Sequence, residues 1–207
     1  MLDSRKLSAV VLVGGRSSRM GRDKATLPIA GTTLIERTIA ELRREFDDIV
    51  VVAAPESIHA ATLPALDATL IRDEVAFAGP ATALLLGLQA SRHDLIFACS
   101  CDLPMLNARL AADLCSMLED QNDAVIPMIN DHLQVLHTVY RKRCAATLEA
   151  MLARGARSLR EFAAMLDIRA VGEQELQRID PESRSFFNIN TPSDYAAAIR
   201  WIEFRRK

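Results

Sequence analysis

The chain has 207 residues with 25 Lys and Arg against 27 Asp and Glu, a formal net charge of −2, and half of its residues are hydrophobic. That balance excludes an intrinsically disordered or collagen-like chain, and it supplies enough apolar surface for a core that needs neither disulfide nor structural metal. Near-neutral charge also argues against a dedicated duplex-binding protein, because affinity for a nucleic-acid backbone requires a strongly basic face.

Met1 to Ser8 carries Asp3, Arg5 and Lys6 and lacks the apolar centre of a signal peptide. The longest uncharged stretch, Val75 to Ser91, is interrupted by Gly79, Pro80, Thr82, Gly87 and Gln89 and falls short of the ~20 apolar residues of a membrane helix. A cytoplasmic protein with no membrane segment is expected. Apolar runs then alternate with amphipathic stretches. Leu7–Val13, Ile49–Ala54, Thr69–Arg72, Leu95–Ser100 and Asp123–Ile129 read as strands covered on both faces, with Leu133–Tyr140 and Ile168–Val171 extending the sheet. Between them, helices are predicted over Thr33–Phe46, Pro80–Ala90, Asn107–Leu118, Lys142–Arg154, Ser158–Leu166 and Ser193–Phe204, the last opened by Pro192 with Thr191 as cap. The expected fold is α/β: one three-layer α/β/α domain over residues 1–207 with a mainly parallel, Rossmann-like sheet. A compositional shift near residue 130 divides it into halves of about 1–125 and 126–207.

Cys99, Cys101, Cys115 and Cys144 contain no C-x-x-C pair and read as buried structural thiols. His59, His93, His132 and His137 are scattered, so no zinc site is expected.

The segment after the first strand, Leu12-Val13-Gly14-Gly15-Arg16-Ser17-Ser18-Arg19-Met20-Gly21-Arg22-Asp23-Lys24, places four cations within nine residues. Gly14 and Gly15 admit close approach of a ligand to the main chain. Ser17, Ser18 and successive backbone N–H groups can donate to phosphate oxygens, while Arg19 and Lys24 supply charge. The pattern suits a triphosphate cradle; a solvated basic loop is the plain alternative. Five residues separate Gly15 from Gly21, and Arg22 follows, so the spacing is not that of a Walker A loop, and Gly-x-Gly-x-x-Gly is absent.

Gly14, Gly15, Ser17, Arg19, Met20, Gly21, Asp23 and Lys24 together resemble the Gly-Gly-x-Ser-x-Arg-Met-Gly-x-Asp-Lys signature of molybdenum cofactor guanylyltransferases. In related cytidylyltransferases Ala-Gly commonly stands in place of Gly14-Gly15, so the resemblance favours GTP over CTP.

In an open α/β sheet ligands collect beyond the carboxyl ends of strands, which singles out Asp102 after Leu95–Ser100 and Asp73 after Thr69–Arg72. A carboxylate facing nucleotide phosphates is a common partner for Mg²⁺, which takes few protein ligands. Each could equally be a turn carboxylate. Cys101-Asp102-Leu103-Pro104 resembles the family's Cys-Asp-x-Pro element, whose aspartate binds Mg²⁺ and nucleotide, and the family also has an aspartate before its Gly-Pro segment, here Gly79-Pro80. The chain departs from the family in two places: Ala81-Thr82-Ala83 replaces Leu-Ala-Gly, and Ala53-Ala54-Pro55 stands where a base-contacting asparagine is often found. Phe187-Asn188-Ile189-Asn190-Thr191-Pro192 resembles the family's Asn-x-Asn-Thr-Pro element, with an ordinary strand-to-helix cap as the alternative. Arg157 and Arg160 could meet a second phosphate or lie on a helix surface.

The resemblance implies transfer of GMP from GTP to the phosphate of molybdopterin or molybdenum cofactor, releasing pyrophosphate. Arg19, Lys24 and Asp102 would be catalytic, with Leu12, Val13, Gly14, Gly15, Ser17, Lys24, Asp73 and Asp102 on the nucleotide. Asn188 and Asn190 would face the pterin, and Asp102 would hold Mg²⁺. Nucleic acid and membrane are not expected partners; the resemblance leaves room for molybdoenzymes or cofactor-delivery proteins. Three alternatives stay open. A cytidylyltransferase on the same cofactor would use CTP, a sugar-phosphate nucleotidyltransferase would charge a hexose phosphate, and a non-catalytic nucleotide-binding module would release no pyrophosphate.

Overall fold

The computed structural model describes residues 6–14, 24–54, 67–73 and 79–204. Its strands and helices, in chain order, are β1 (Leu7–Val13), β2 (Pro28–Ile29), β3 (Thr32–Thr33), α1 (Leu34–Leu42), β4 (Asp48–Ala53), β5 (Thr69–Arg72), α2 (Pro80–Ala90), β6 (Leu95–Ser100), α3 (Ala108–Ser116), β7 (Ala124–Ile129), β8 (His132–Leu133), β9 (His137–Arg141), α4 (Cys144–Ala153), α5 (Leu159–Ala163), β10 (Ile168–Val171), α6 (Glu173–Leu176) and α7 (Pro192–Phe204).

Every residue of β1 and β4 is buried, as near-continuous apolar runs in parallel strands require when helices cover both faces, and the two polar residues among them, Ser8 and Asp48, hydrogen-bond to each other at 2.6 Å. Successive side chains point to opposite faces. Ala9, Val11 and Val13 join Ile49, Val51, Phe97 and Cys99 under α1 and α3, through Ile35, Ile39, Leu42, Leu110 and Leu114. Val10, Leu12, Val50, Val52, Ile96 and Ala98 pack on the other side against Leu84 and Leu88 of α2 and Leu148 and Met151 of α4. Gly87 brings α2 close to β1: a Cβ at this position would stand 2.3 Å from Val10 Cγ1.

The sheet runs β10-β7-β9-β6-β1-β4-β5, with β8 paired to β7. Neighbours from β6 to β5 are all parallel, and β10 is parallel to β7. Strand β9 is inserted antiparallel to both β6 and β7. The predicted strand Leu133–Tyr140 is therefore two elements. Asn130 and Asp131 both take positive φ, turning β7 back onto β8, and the 134–136 segment then forms a second turn closed by His137 N–H donating to Gln134 O at 3.0 Å. Buried residues on both sides of position 130, such as Val51, Val125 and Val171, share one cluster.

Helix starts follow their caps. Thr33 and Glu36 form a reciprocal capping box on α1, Asn107 accepts from the N–H groups of Arg109 and Leu110 on α3, and Ser158 accepts from Glu161 N–H on α5. Helices α2 and α7 end at Ala90 and Phe204 as predicted, whereas α1 closes at Leu42 rather than Phe46 and α5 at Ala163 rather than Leu166. A third apolar cluster seats α7 through Ala198 and Ile202 on Leu27, Ile29, Leu34, Met105 and Ile189. No helix among the described residues is long and apolar enough to cross a membrane.

Candidate active site

Chain order reverses direction around β1: β4 and β5 lie on one side of it and β6 on the other. This is the switch point at which open α/β sheets form a ligand crevice. Backbone pairing continues one residue beyond each strand: Cys101 N–H donates to Leu12 O at 3.0 Å, Ala54 N–H to Val13 O at 2.9 Å, and Asp73 N–H to Ala53 O at 2.9 Å. Asp102, Gly14, Ala54 and Asp73 thus exit side by side along the carboxyl edge of four strands. Asp102 and Asp73 stand at the ends of this row, three strand spacings or about 14 Å apart, too far to share one metal ion.

Leu12 and Val13 are buried at the end of β1, and Gly14 is exposed beyond them with φ +153°. A Cβ on Gly14 would lie 2.9 Å from Ala54 Cβ, so the glycine permits close contact between two strand exits. Gly15, Ser17 and Arg19, like Met20, Gly21 and Asp23, lie outside the described residues. Lys24 opens a single 3₁₀ turn, Lys24–Thr26, whose Ala25 is buried in the core.

Asp102 is the hub of the described site. Its Oδ2 accepts from Lys24 Nζ at 2.9 Å and its Oδ1 from Ser100 Oγ at 2.5 Å, while its backbone carbonyl accepts from Ile189 N–H at 2.9 Å. The last bond, with burial of Ile189, fastens the Asn-Ile-Asn segment beside β6. Lys24 Nζ also donates to Asn190 Oδ1 at 3.0 Å. Three of the predicted site residues, separated by up to 166 positions, therefore meet at one ammonium group. Asn188 stands apart from this cluster; it is half-buried, and its Nδ2 donates to Phe186 O at 3.4 Å. Asp73 is buried at the far end of the row.

Two contributors carried weaker sequence signals. Ser100 precedes Asp102 by two residues, the spacing of a side-chain turn. Asp194 Oδ2 accepts from the N–H groups of Asn190 and Thr191 at 3.0 and 2.8 Å, and Thr191 Oγ1 accepts from Asp194 N–H at 3.2 Å, a cap legible in Thr191-Pro192-Ser193-Asp194. The Asn190 backbone bond above all, followed by Thr191 and the charge of Lys24, holds the Asp194 carboxyl below the usual range. Arg37 of α1 donates to Pro104 O at 2.9 Å and fixes the turn after Asp102. Arg157, considered above for a phosphate, donates to Leu152 O and Ala156 O at 2.7 and 2.9 Å and closes the end of α4. All four cysteines are buried and unpaired with each other; burial, with Asp102 as a smaller cause, raises the Cys99 thiol far above its ordinary range.

Among the described residues no group of three or more His, Cys, Asp or Glu side chains could enclose a metal ion. A single carboxylate nevertheless suits Mg²⁺, which completes its shell with phosphate oxygens and water. The Asp102 side chain is 16% exposed, and each of its oxygens has one described donor and a second lone pair available.

A family profile described as the MobA-like NTP transferase domain matches residues 9–170. A protein of Mycobacterium avium (strain 104) named "Probable molybdenum cofactor guanylyltransferase" is 37% identical over 202 residues, covering 95% of this chain and 97% of its own. The molybdenum cofactor guanylyltransferase of Desulfosudis oleivorans is 29% identical over 193 residues, with 93% and 94% covered. Among solved structures, molybdopterin-guanine dinucleotide biosynthesis protein A from Archaeoglobus fulgidus superposes with a TM-score of 0.79 at 24% identity, covering 95% of this chain and 99% of that one, which shows the shared fold. With four of its strand exits aligned on one edge and a profile match spanning most of its length, the chain belongs to the MobA-like NTP transferase family.

Proposed function

We propose that this protein transfers GMP from GTP to the terminal phosphate of molybdopterin or its metal-loaded cofactor, releasing pyrophosphate and forming a guanine dinucleotide. The observation that carries this reading is the convergence of Lys24, Asp102 and Asn190 at the crevice beside β1. It is supported by relatives named for that activity in Mycobacterium avium and Desulfosudis oleivorans. An oxygen of the acceptor phosphate attacks the α-phosphorus of GTP as the bond to the pyrophosphate oxygen breaks. No covalent enzyme intermediate is required, so the protein's work is alignment and neutralisation of charge.

Within this reading Lys24, with Arg19, neutralises the triphosphate and the departing pyrophosphate. The nucleotide rests on Leu12, Val13, Gly14, Gly15 and Ser17, and Asp73, about 14 Å from Asp102 along the row of strand exits, serves the nucleoside end. Asp102 is the residue that would hold Mg²⁺, with Ser100 setting the carboxylate's orientation. When bound, Mg²⁺ would supply a positive template for phosphate oxygens and draw electron density from the α-phosphorus. Asn188 and Asn190 belong to the acceptor side. The halves 1–125 and 126–207 then correspond to nucleotide and acceptor, and the cytoplasm is the compartment proposed.

The test is incubation of the purified protein with Mg²⁺, molybdopterin and each nucleoside triphosphate in turn, with mass analysis of products. GTP should give the guanine dinucleotide and one equivalent of pyrophosphate. A dinucleotide formed only from CTP, or none from any triphosphate, would overturn the proposal.

A further inference from the structure

Lys24 is tethered by one residue from the middle of the chain and one from its C-terminal part. Its Nζ donates to Asp102 Oδ2 at 2.9 Å and to Asn190 Oδ1 at 3.0 Å. An asparagine expected to serve the acceptor thus has its carbonyl oxygen committed to a nucleotide-side lysine. The two partners differ in stiffness. Asn190 has its backbone N–H held by Asp194 at 3.0 Å and follows Ile189, which is fully buried and bonded through its N–H to the Asp102 carbonyl. Lys24 ends in an ammonium on a flexible four-carbon stem. In such a pair the anchored backbone restricts where the short asparagine side chain can place its amide oxygen, and that oxygen in turn restricts the longer, more mobile lysine.

An ammonium has three donors. Among the described residues Asp102 and Asn190 accept two of them; the third can then meet an incoming phosphate oxygen, and its direction is determined by the other two. We infer that Asn190 is a positioning residue for Lys24: its amide oxygen pre-aims the ammonium at the GTP phosphates before any acceptor arrives. This rests on the reading above, in which Lys24 meets the triphosphate. It departs from that reading by giving Asn190 a nucleotide-side task that operates without the acceptor.

The experiment is calorimetric titration of the full chain with GTP and excess Mg²⁺ in the absence of acceptor, for wild type, Asn190→Ala, Lys24→Ala and the double variant. Melting curves recorded beside the titrations confirm that the variants are folded, which the exposure of Asn190 favours. Asn190→Ala should weaken GTP binding about tenfold, the size expected for one hydrogen bond to a charged group. In the Lys24→Ala background the same substitution should change nothing further. If Asn190→Ala binds GTP as wild type does, or loses the same factor in both backgrounds, the inference fails while the proposed function stands. If wild type itself does not bind GTP, both fall.

Discussion

Lys24 and Asp102, separated by 78 residues, form a 2.9 Å ion pair in which both side chains are mostly shielded from solvent, 20% and 16% exposed. The lysine comes after β1 in the chain and the aspartate after β6, so the pair joins the segments that follow two neighbouring strands at the switch point. The Asp102 backbone carbonyl is separately bonded to Ile189, so removal of the side-chain charge leaves that tie intact.

Substitution of either member should therefore disable turnover without unfolding the protein. Lys24→Ala and Asp102→Asn are each expected to lower kcat for GMP transfer by about 10²- to 10³-fold, the usual cost of one preorganised electrostatic contact. Transfer assays paired with melting curves check this. Near-native turnover in both variants would remove these residues from the reaction.

Ser100 acts through Asp102, donating to the oxygen that Lys24 does not use. Ser100→Ala should lower kcat/KM by about tenfold, equivalent to ~1.4 kcal/mol, and Ser100→Thr should retain most of the activity. Mn²⁺ binding in the presence of GTP, followed by EPR, should weaken in the alanine variant alone. Equal binding in all three proteins would reduce Ser100 to a local turn residue.

Packing gives a prediction away from the site. Glycine in a helix interior ordinarily destabilises relative to alanine, yet Gly87→Ala should destabilise this fold, because the added methyl would lie 2.3 Å from Val10 Cγ1. Overpacking of this kind costs roughly 1–3 kcal/mol. Denaturant titration should show the loss, and a Val10→Ala change in the same chain should recover part of it; a more stable Gly87→Ala protein would refute the packing argument.

His137 should make the fold acid-sensitive. It is 2% exposed, with ring centres of Phe97 and Phe186 at 5.1 and 4.4 Å, and burial pushes its pKa down from 6.5 to about 3. The unfolded chain takes up this proton near pH 6.5 and the folded chain resists it. Stability is therefore complete above that pH and declines as pH falls toward 3, by up to about 1.4 kcal/mol per unit. Asp48 acts lower: burial would raise its carboxyl, but bonds from Arg92 N–H and Ser8 Oγ and the Arg92 charge hold it below 3.8, so its contribution is lost only as pH falls through that depressed value. His137→Leu should consequently flatten the stability profile between pH 6.5 and 4.5. Parallel profiles for the two proteins would contradict this.

The elements with strong local signals were legible residue by residue. The largely apolar runs of β1 and β6, Thr33 with Glu36 at the head of α1, and Thr191-Pro192 at the head of α7 all act within a few positions of themselves. The direction of β9 was not legible, because an antiparallel strand buried between β6 and β7 carries the same hydrophobic pattern as a parallel one. Nor was the short helix α6, four residues long, whose start at Gly172 has no side-chain cap.

By itself the sequence determined the strand–helix alternation, the glycine and cation signature after β1, and the aspartates at strand exits, since each depends on a residue's chemistry and its near neighbours. Tertiary structure alone decided that Lys24 sits between Asp102 and Asn190, that Asp73 follows a strand three places along the sheet from the one before Asp102, and that Arg157 serves a helix end. Those relationships join groups up to 166 positions apart. Only the packing of β1 against β6 and the docking of the Asn188–Asn190 segment on the Asp102 carbonyl bring them within hydrogen-bonding distance.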